Sequence, residues 1–176
     1  MTQEPSDLTL ARQVSSHNDR HAFDQLVRRH QSAVRRFLLH LTLGNEPLSD
    51  DLAQETFLKA YLHISQFRAT ATFQTWLLRI AYREFYNDRR THRQVLTQHY
   101  PEEETGTTSI ELKSDICQAL SLLKEEERIC ITLQLIEGEP IAHIAEITSM
   151  QENTVKSHLK RGKERLVQYL KQNGYD

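Results

Sequence analysis

The stretch IAHIAEITSMQENTVKSHLKRGKERL, residues 141–166, decides the architecture. Its opening residues set Ile141, Ile144, Ala145 and Ile147 on one side of a short helix, and the four residues TSMQ then break the pattern. Beyond them Val155, Leu159, Gly162, Leu166 and Leu170 share one side of a longer helix. Asn153, Ser157, Lys160, Arg161 and Glu164 lie opposite, with Thr154 and Lys156 on the flanks. Short helix, tight turn, longer helix with a polar face is the order of a helix-turn-helix.

Residues 152–171 hold six Lys or Arg against two Glu, in a chain whose formal charge is −2. A basic helix by itself is most often a solvated face. The helix and turn in front of this one change the balance, because they present its N-terminal half to a groove wide enough to admit it. Thr154, Lys156, Ser157 and Lys160 are then placed to meet base edges or nearby phosphates, while Arg161 and Lys163 hold the backbone. Free amides at the helix start add an anion contact.

Working outward, the chain has 176 residues, 38% hydrophobic and 26% charged, with only five Gly and four Pro. The apolar residues recur at helical spacing throughout, so the expected fold is all-α. A first helix begins near Ser6, with Leu8, Ala11 and Val14 on one side. A second, from about Asp19, carries Ala22, Phe23, Leu26, Val27, Val34, Phe37, Leu38 and Leu41, and Gly44 stops it. The third is expected over residues 49–67, and the fourth carries Phe73, Trp76, Leu77, Ile80 and Ala81 on one face.

Residues 95–110 then lose periodicity and gain a Pro, a Gly and a Glu run, which marks a flexible linker. The chain thus divides into a domain over 1–94, the linker 95–110 and a second domain over 111–176. In the second, Ile116, Ala119, Leu120 and Leu123 are expected inward on one helix, and Ile129, Cys130, Leu133 and Ile136 on the next. Domains this small bury only about 60% of their unfolded surface, so a partner would add stability to each.

Apolar runs such as Phe37–Leu43 are too short to span a bilayer, and the first ten residues lack a signal-like pattern. A cytoplasmic protein without membrane insertion is therefore expected. Cys117 and Cys130 stand alone, and His17 and His21 lack a third ligand nearby, so neither a disulfide framework, a metal site nor a cofactor is expected. No catalytic constellation is present either.

The first domain carries two surfaces of opposite character. Glu46, Asp50, Asp51 and Glu55 are four acids without a base between Gly44 and Glu55, a poor surface to lay on DNA. The helix from Phe73 instead combines Arg79, Arg83, Arg89, Arg90 and Arg93 with Trp76, Tyr82, Phe85 and Tyr86. Trp76 belongs to the apolar stripe, while Tyr82, Tyr86, Asn87 and Arg90 fall on another face. Cations interleaved with aromatics suit single-stranded nucleic acid, whose phosphates attract charge and whose unstacked bases need π-faces.

Three segments in series resemble the small extracytoplasmic-function (ECF) sigma factors of bacterial RNA polymerase. DDLAQETFLKAYLHISQF (50–67) resembles their region 2.2, FQTWLLRIAYREFYNDRR (73–90) regions 2.3 and 2.4, and residues 141–166 the region 4.2 helix-turn-helix. The resemblance implies a protein that binds core polymerase and directs promoter-specific initiation. It places Asp51, Gln54, Glu55, Leu58 and Tyr61 against the largest polymerase subunit. It places Arg68, Thr72, Phe73, Tyr82, Arg83, Tyr86, Asn87 and Arg90 on the melted −10 strand. The second domain would read the −35 duplex and touch the second-largest subunit, and the linker, with Glu102–Glu104, would run toward the RNA exit path. An anti-sigma factor is the further partner implied. The rival is a stand-alone helix-turn-helix regulator with a ligand-sensing first domain, which would need a dimerisation element to read two half-sites.

Overall fold

The computed structural model describes residues 4–99 and 115–172, and every regular element among them is helical. Side chains at the joints set the helix starts. The Ser6 hydroxyl accepts from the Thr9 amide and opens α1 (Asp7–His17). The Asp19 carboxylate accepts from His21 and Ala22 and opens α2 (Arg20–Leu41). Asn45 accepts from the Leu48 amide and opens α3 (Glu46–Leu62). Between α2 and α3 the chain turns through Leu43 at φ 56° and Gly44 at φ 84°, a left-handed pair in which glycine carries no Cβ penalty.

The segment expected as one helix over residues 49–67 therefore starts three residues early, at its Asn cap. It ends at Leu62 and continues as a 3₁₀ turn, Ile64–Gln66. Helix α4 spans Phe73–His99, five residues into the range expected as linker. The rest of that range, including Glu102–Glu104, lies outside the described residues.

Helices α1–α4 close on Leu10, Val14, Leu26, Val34, Phe37, Leu38, Leu77, Leu78, Ala81 and Phe85, all almost without exposure. The second unit comprises α5 (Asp115–Ser121), α6 (Glu125–Ile131), α7 (Ile141–Thr148) and α8 (Glu152–Gln172). Its core gathers Leu120, Leu123, Ile129, Ile131, Leu133, Ile144, Ile147, Val155 and Leu159. Ile116, expected inward, is half exposed, and its neighbour Cys117 is buried in its place. Cys130 is fully buried, and burial pushes its thiol up to about 12.

Helices α6 and α8 cross closely because Gly162 has no side chain: a Cβ there would lie 2.8 Å from Ile131 Cγ1. Across the same crossing the Glu127 carboxylate, 1% exposed, faces Arg161 and Arg165, each at 3.4 Å.

The two units are not merely tethered. One continuous apolar cluster runs through both, with α7 against α4 and the segment after α6 against α2. That segment, Thr132–Ile136, is π-helical and leads into Gly138 at φ 75°. The bend turns Glu137 and Glu139 toward the first unit. Glu137 has no side-chain exposure and takes a bidentate bond from Arg36, at 2.9 and 2.6 Å. Glu139 lies 3.0 and 3.1 Å from the Thr75 hydroxyl and 2.9 Å from His143 Nδ1.

Candidate nucleic-acid interface

Helix α7 ends at Ser149 in the left-handed conformation, φ 59°, and the chain re-enters a helix at Glu152. This three-residue turn fixes α8 on the second unit by Val155, Leu159 and Gly162. Thr154, Lys156, Ser157, Lys160, Arg161 and Lys163 all face outward, so the whole expected reading face is accessible. Among the described residues Lys160 and Lys163 have no ion pair, and Lys156 only a loose one to Glu152 at 3.9 Å. Arg161 is half committed, with Nε toward buried Glu127 and a terminal nitrogen 3.1 Å from His158.

In the first unit the Thr72 hydroxyl caps α4 by accepting from the Thr75 amide at 3.1 Å. The exposed face of α4 and the loop before it then bring together Arg68, Arg83, Tyr86, Asn87 and Arg90. Arg68, Arg83 and Arg90 have no ion pair among the described residues, and Tyr86 is 53% exposed. Tyr82 lies 6.3 Å from Tyr86, ring to ring. Burial raises the Tyr82 phenol's pKa, with smaller contributions from Tyr86 and Glu125.

Phe73 departs from expectation. At 2% exposure its ring packs on Phe67, Trp76 and His30, so in this structure it holds the loop from below and offers no face to a base. Its place on the apolar stripe of α4 explains this.

Beside the loop lies a cleft of about 440 Å³, lined among others by Phe67, Arg68, Trp76, Arg79, Arg83 and Glu146. Glu84, 8% exposed, sits at its floor and binds Lys59 at 2.5 Å, which keeps the lysine charged.

On the other side, α3 presents Asp51, Gln54, Glu55 and Leu58 to solvent, with Leu58 53% exposed. Tyr61 is half-buried: its hydroxyl donates to Asn18 and its ring meets Phe23 edge-on at 4.9 Å. The acidic run is partly neutralised, since Asp50 takes a 2.6 Å bond from Arg35 and Glu55 lies 3.7 Å from Lys59. Asp51 keeps no ion pair among the described residues. Phe23, Phe57, Leu58 and Tyr61 line a shallow apolar groove beside it.

Sequence reasoning missed Thr75, Arg36 and the carboxylates of the second unit, because their partners lie 64 to 101 residues away. A signal for Arg79 and Arg89 was available: with Tyr82 and Tyr86 they form one stripe at helical spacing.

An all-helical chain with an exposed cationic reading helix, an aromatic and cationic face and a separate acidic, apolar face is a promoter-recognition factor in outline. Residues 26–95 match the family Sigma-70 region 2, and residues 114–166 match Sigma-70, region 4. The ECF RNA polymerase sigma-E factor of Haemophilus influenzae is 30% identical, over 93% of this chain and 95% of that protein. The ECF sigma factor SigW of Bacillus subtilis is 28% identical, over 87% and 91%. Among solved structures, the sigma factor RpoE of Bartonella quintana, in complex with the anti-sigma factor NepR, superimposes with a TM-score of 0.72. It has 26% identity and covers 85% of this chain and 96% of that one. CnrH, in complex with the cytosolic domain of CnrY, gives 0.71 at 25% identity, over 97% and 100%.

The chain belongs to the ECF sigma factors of RNA polymerase. Its activity is promoter-specific transcription initiation, a non-enzymatic one. A ligand-sensing first domain is not favoured, because region 2 occupies that part of the chain. No described helix is long and apolar enough to cross a membrane.

Proposed function

We propose that the three surfaces divide the work of initiation. Helix α3 docks on core polymerase through Asp51, Gln54, Glu55 and Leu58, with Tyr61 shaping the groove beside them. The largest subunit receives α3, and the second-largest receives the second unit. The loop before α4 and its outer face, Arg68, Thr72, Tyr82, Arg83, Tyr86, Asn87 and Arg90, take the melted −10 strand, while Phe73 supports them from the core. Helix α8 reads the −35 duplex with Thr154, Lys156, Ser157 and Lys160, and Arg161 and Lys163 hold phosphates. The domain limits follow this division: residues 1–94 for docking and the −10 strand, 111–176 for the −35 duplex.

The observation that carries this proposal is the segregation of the three surfaces. Cations and aromatics lie outward on α4 and α8, and acids beside an apolar groove lie on α3. Energetics explain why the protein acts as a subunit. Opening duplex costs about 1.4 kcal/mol per step, and stacking one base on an aromatic returns about 1 to 3 kcal/mol. A few captured bases offset part of a bubble, and polymerase supplies the rest. The protein works in the cytoplasm, where polymerase is, and an anti-sigma factor restrains it, in line with the complex with an anti-sigma factor in which RpoE was solved.

The test is transcription from a cognate promoter by sigma-free core polymerase after addition of the purified protein. Absence of both transcript and co-elution with core would overturn the proposal. Asp51→Arg is expected to abolish co-elution while duplex binding by α8 persists; undiminished co-elution would move the docking surface elsewhere.

A further inference from the structure

The charges that join the two units are sorted by sign. The first unit contributes Arg36, Arg79 and Arg89, and the second contributes Glu137, Glu146 and Glu125. Arg79 binds Glu146 at 3.1 Å, and Arg89 binds Glu125 at 2.9 Å. Those two arginines flank Tyr82 and Tyr86 on a single stripe of α4, about 15 Å long at 1.5 Å per residue. The stripe thus presents cation, ring, ring, cation, the order that a single strand's phosphates and bases require. In this structure each of the two cations meets a carboxylate, and Tyr82 between them is half-buried. Glu146 and Ile147 of α7 also line the cleft beside Arg68 and Trp76.

We infer that Arg79 and Arg89 are strand-binding residues, and that Glu146 and Glu125 occupy them in the place of phosphates while the chain is closed. This extends the strand-capture role proposed for α4 and rests on it. Reach requires the closure to be temporary. Elements centred at −10 and −35 stand about 25 base pairs apart, about 85 Å of duplex at 3.4 Å per pair. A compact chain of this length has a radius of gyration of only about 16 Å. Closed, it cannot serve both elements, so the ionic contacts must be exchanged for DNA or polymerase contacts when it engages.

The test uses the full chain with Glu125→Gln/Glu146→Gln, with Arg79→Ala/Arg89→Ala, and with all four changes. All four side chains sit at the rim of the interface, 30 to 58% exposed, and because Glu125 also lies 4.0 Å from the buried Arg128, the unfolding midpoint of each variant is measured beside the other readouts. Solution scattering reports closure, and polarisation of a labelled random-sequence single-stranded 12-mer reports strand binding. The glutamine pair is expected to expand the chain and tighten strand binding several-fold. Adding the arginine changes to it should leave the chain expanded but weaken binding at least tenfold and lower the salt slope by about 1.4, two phosphates at 0.7 each. A glutamine pair that stays compact, or expands without binding tighter, overturns the occlusion. Equal affinity with and without the arginines removes them as strand contacts. If the polymerase-bound chain fails to bind the strand at all, strand capture itself falls, and the scattering result then stands apart as an interface without that purpose.

Discussion

Phe73 and Tyr86 sit thirteen residues apart on one helix and have opposite fates, 2% against 53% exposed. The difference separates a support from a contact. Phe73→Ala removes a ring packed among Phe67, Trp76 and His30, and is expected to cost about 3 to 5 kcal/mol of stability in denaturant unfolding. Tyr86→Ala should leave stability within about 0.5 kcal/mol while weakening strand capture by about 1 to 3 kcal/mol in an open-complex assay. If Tyr86→Ala unfolds the protein or Phe73→Ala does not, the inside and outside of α4 are misassigned. Arg161 shows the intermediate case. Its guanidinium faces both solvent and buried Glu127, so its charge serves the packing of α8 as well as the groove.

At the scale of elements, the helix-turn-helix depends on how α8 lies on α6. Gly162 allows that approach, and Gly162→Ala forces Ile131 to move. The expected cost is about 1 to 3 kcal/mol, read in urea unfolding. An unchanged midpoint would show that Ile131 yields freely. Lys160 is the cleaner probe of the groove than Arg161, because it has no ion pair among the described residues. Lys160→Ala should weaken −35 duplex binding by about 1 to 3 kcal/mol if it reads a base. If it holds only a phosphate, all duplexes should weaken alike, with a salt slope lower by about one. Arg161→Ala should also lower stability, since it leaves Glu127 with Arg165 as its remaining cation.

For the whole molecule, the joint between the units buries charge, in the carboxylates of Glu137 and Glu139. His40, 8% exposed, lies there with an unpaired Nδ1 beside Arg36 and Glu137. Burial lowers its pKa below 6.5, and the nearby Glu137 opposes this only in part. A base whose folded pKa is depressed contributes stability above its unfolded value, and loses it as the pH falls through that value and below. Acidification from pH 7.5 to 5.5 should therefore loosen the joint, seen as a larger radius of gyration. His40→Leu isolates the effect: it should remove the expansion, and an expansion unchanged by the variant would assign it elsewhere.

The sequence by itself determined the helical class, the order of the helices, the helix-turn-helix and the outward face of α8. Those depend on periodicity and on turn residues within a few positions, such as Asp19 and Gly44. The Asn45 cap, four residues ahead of Ser49, was legible in principle, because Asn is a favoured N-cap residue. The burial of Phe73 was also written in the i, i+3 stripe with Trp76. Only the tertiary structure decided that the two units close on each other, that Arg79 and Arg89 meet Glu146 and Glu125, and that Glu137 and Glu139 are turned inward by the π-helical bend. Pairs separated by 36 to 101 residues leave no periodic trace in the chain, because their energy resides in a geometry that forms only once both units have folded.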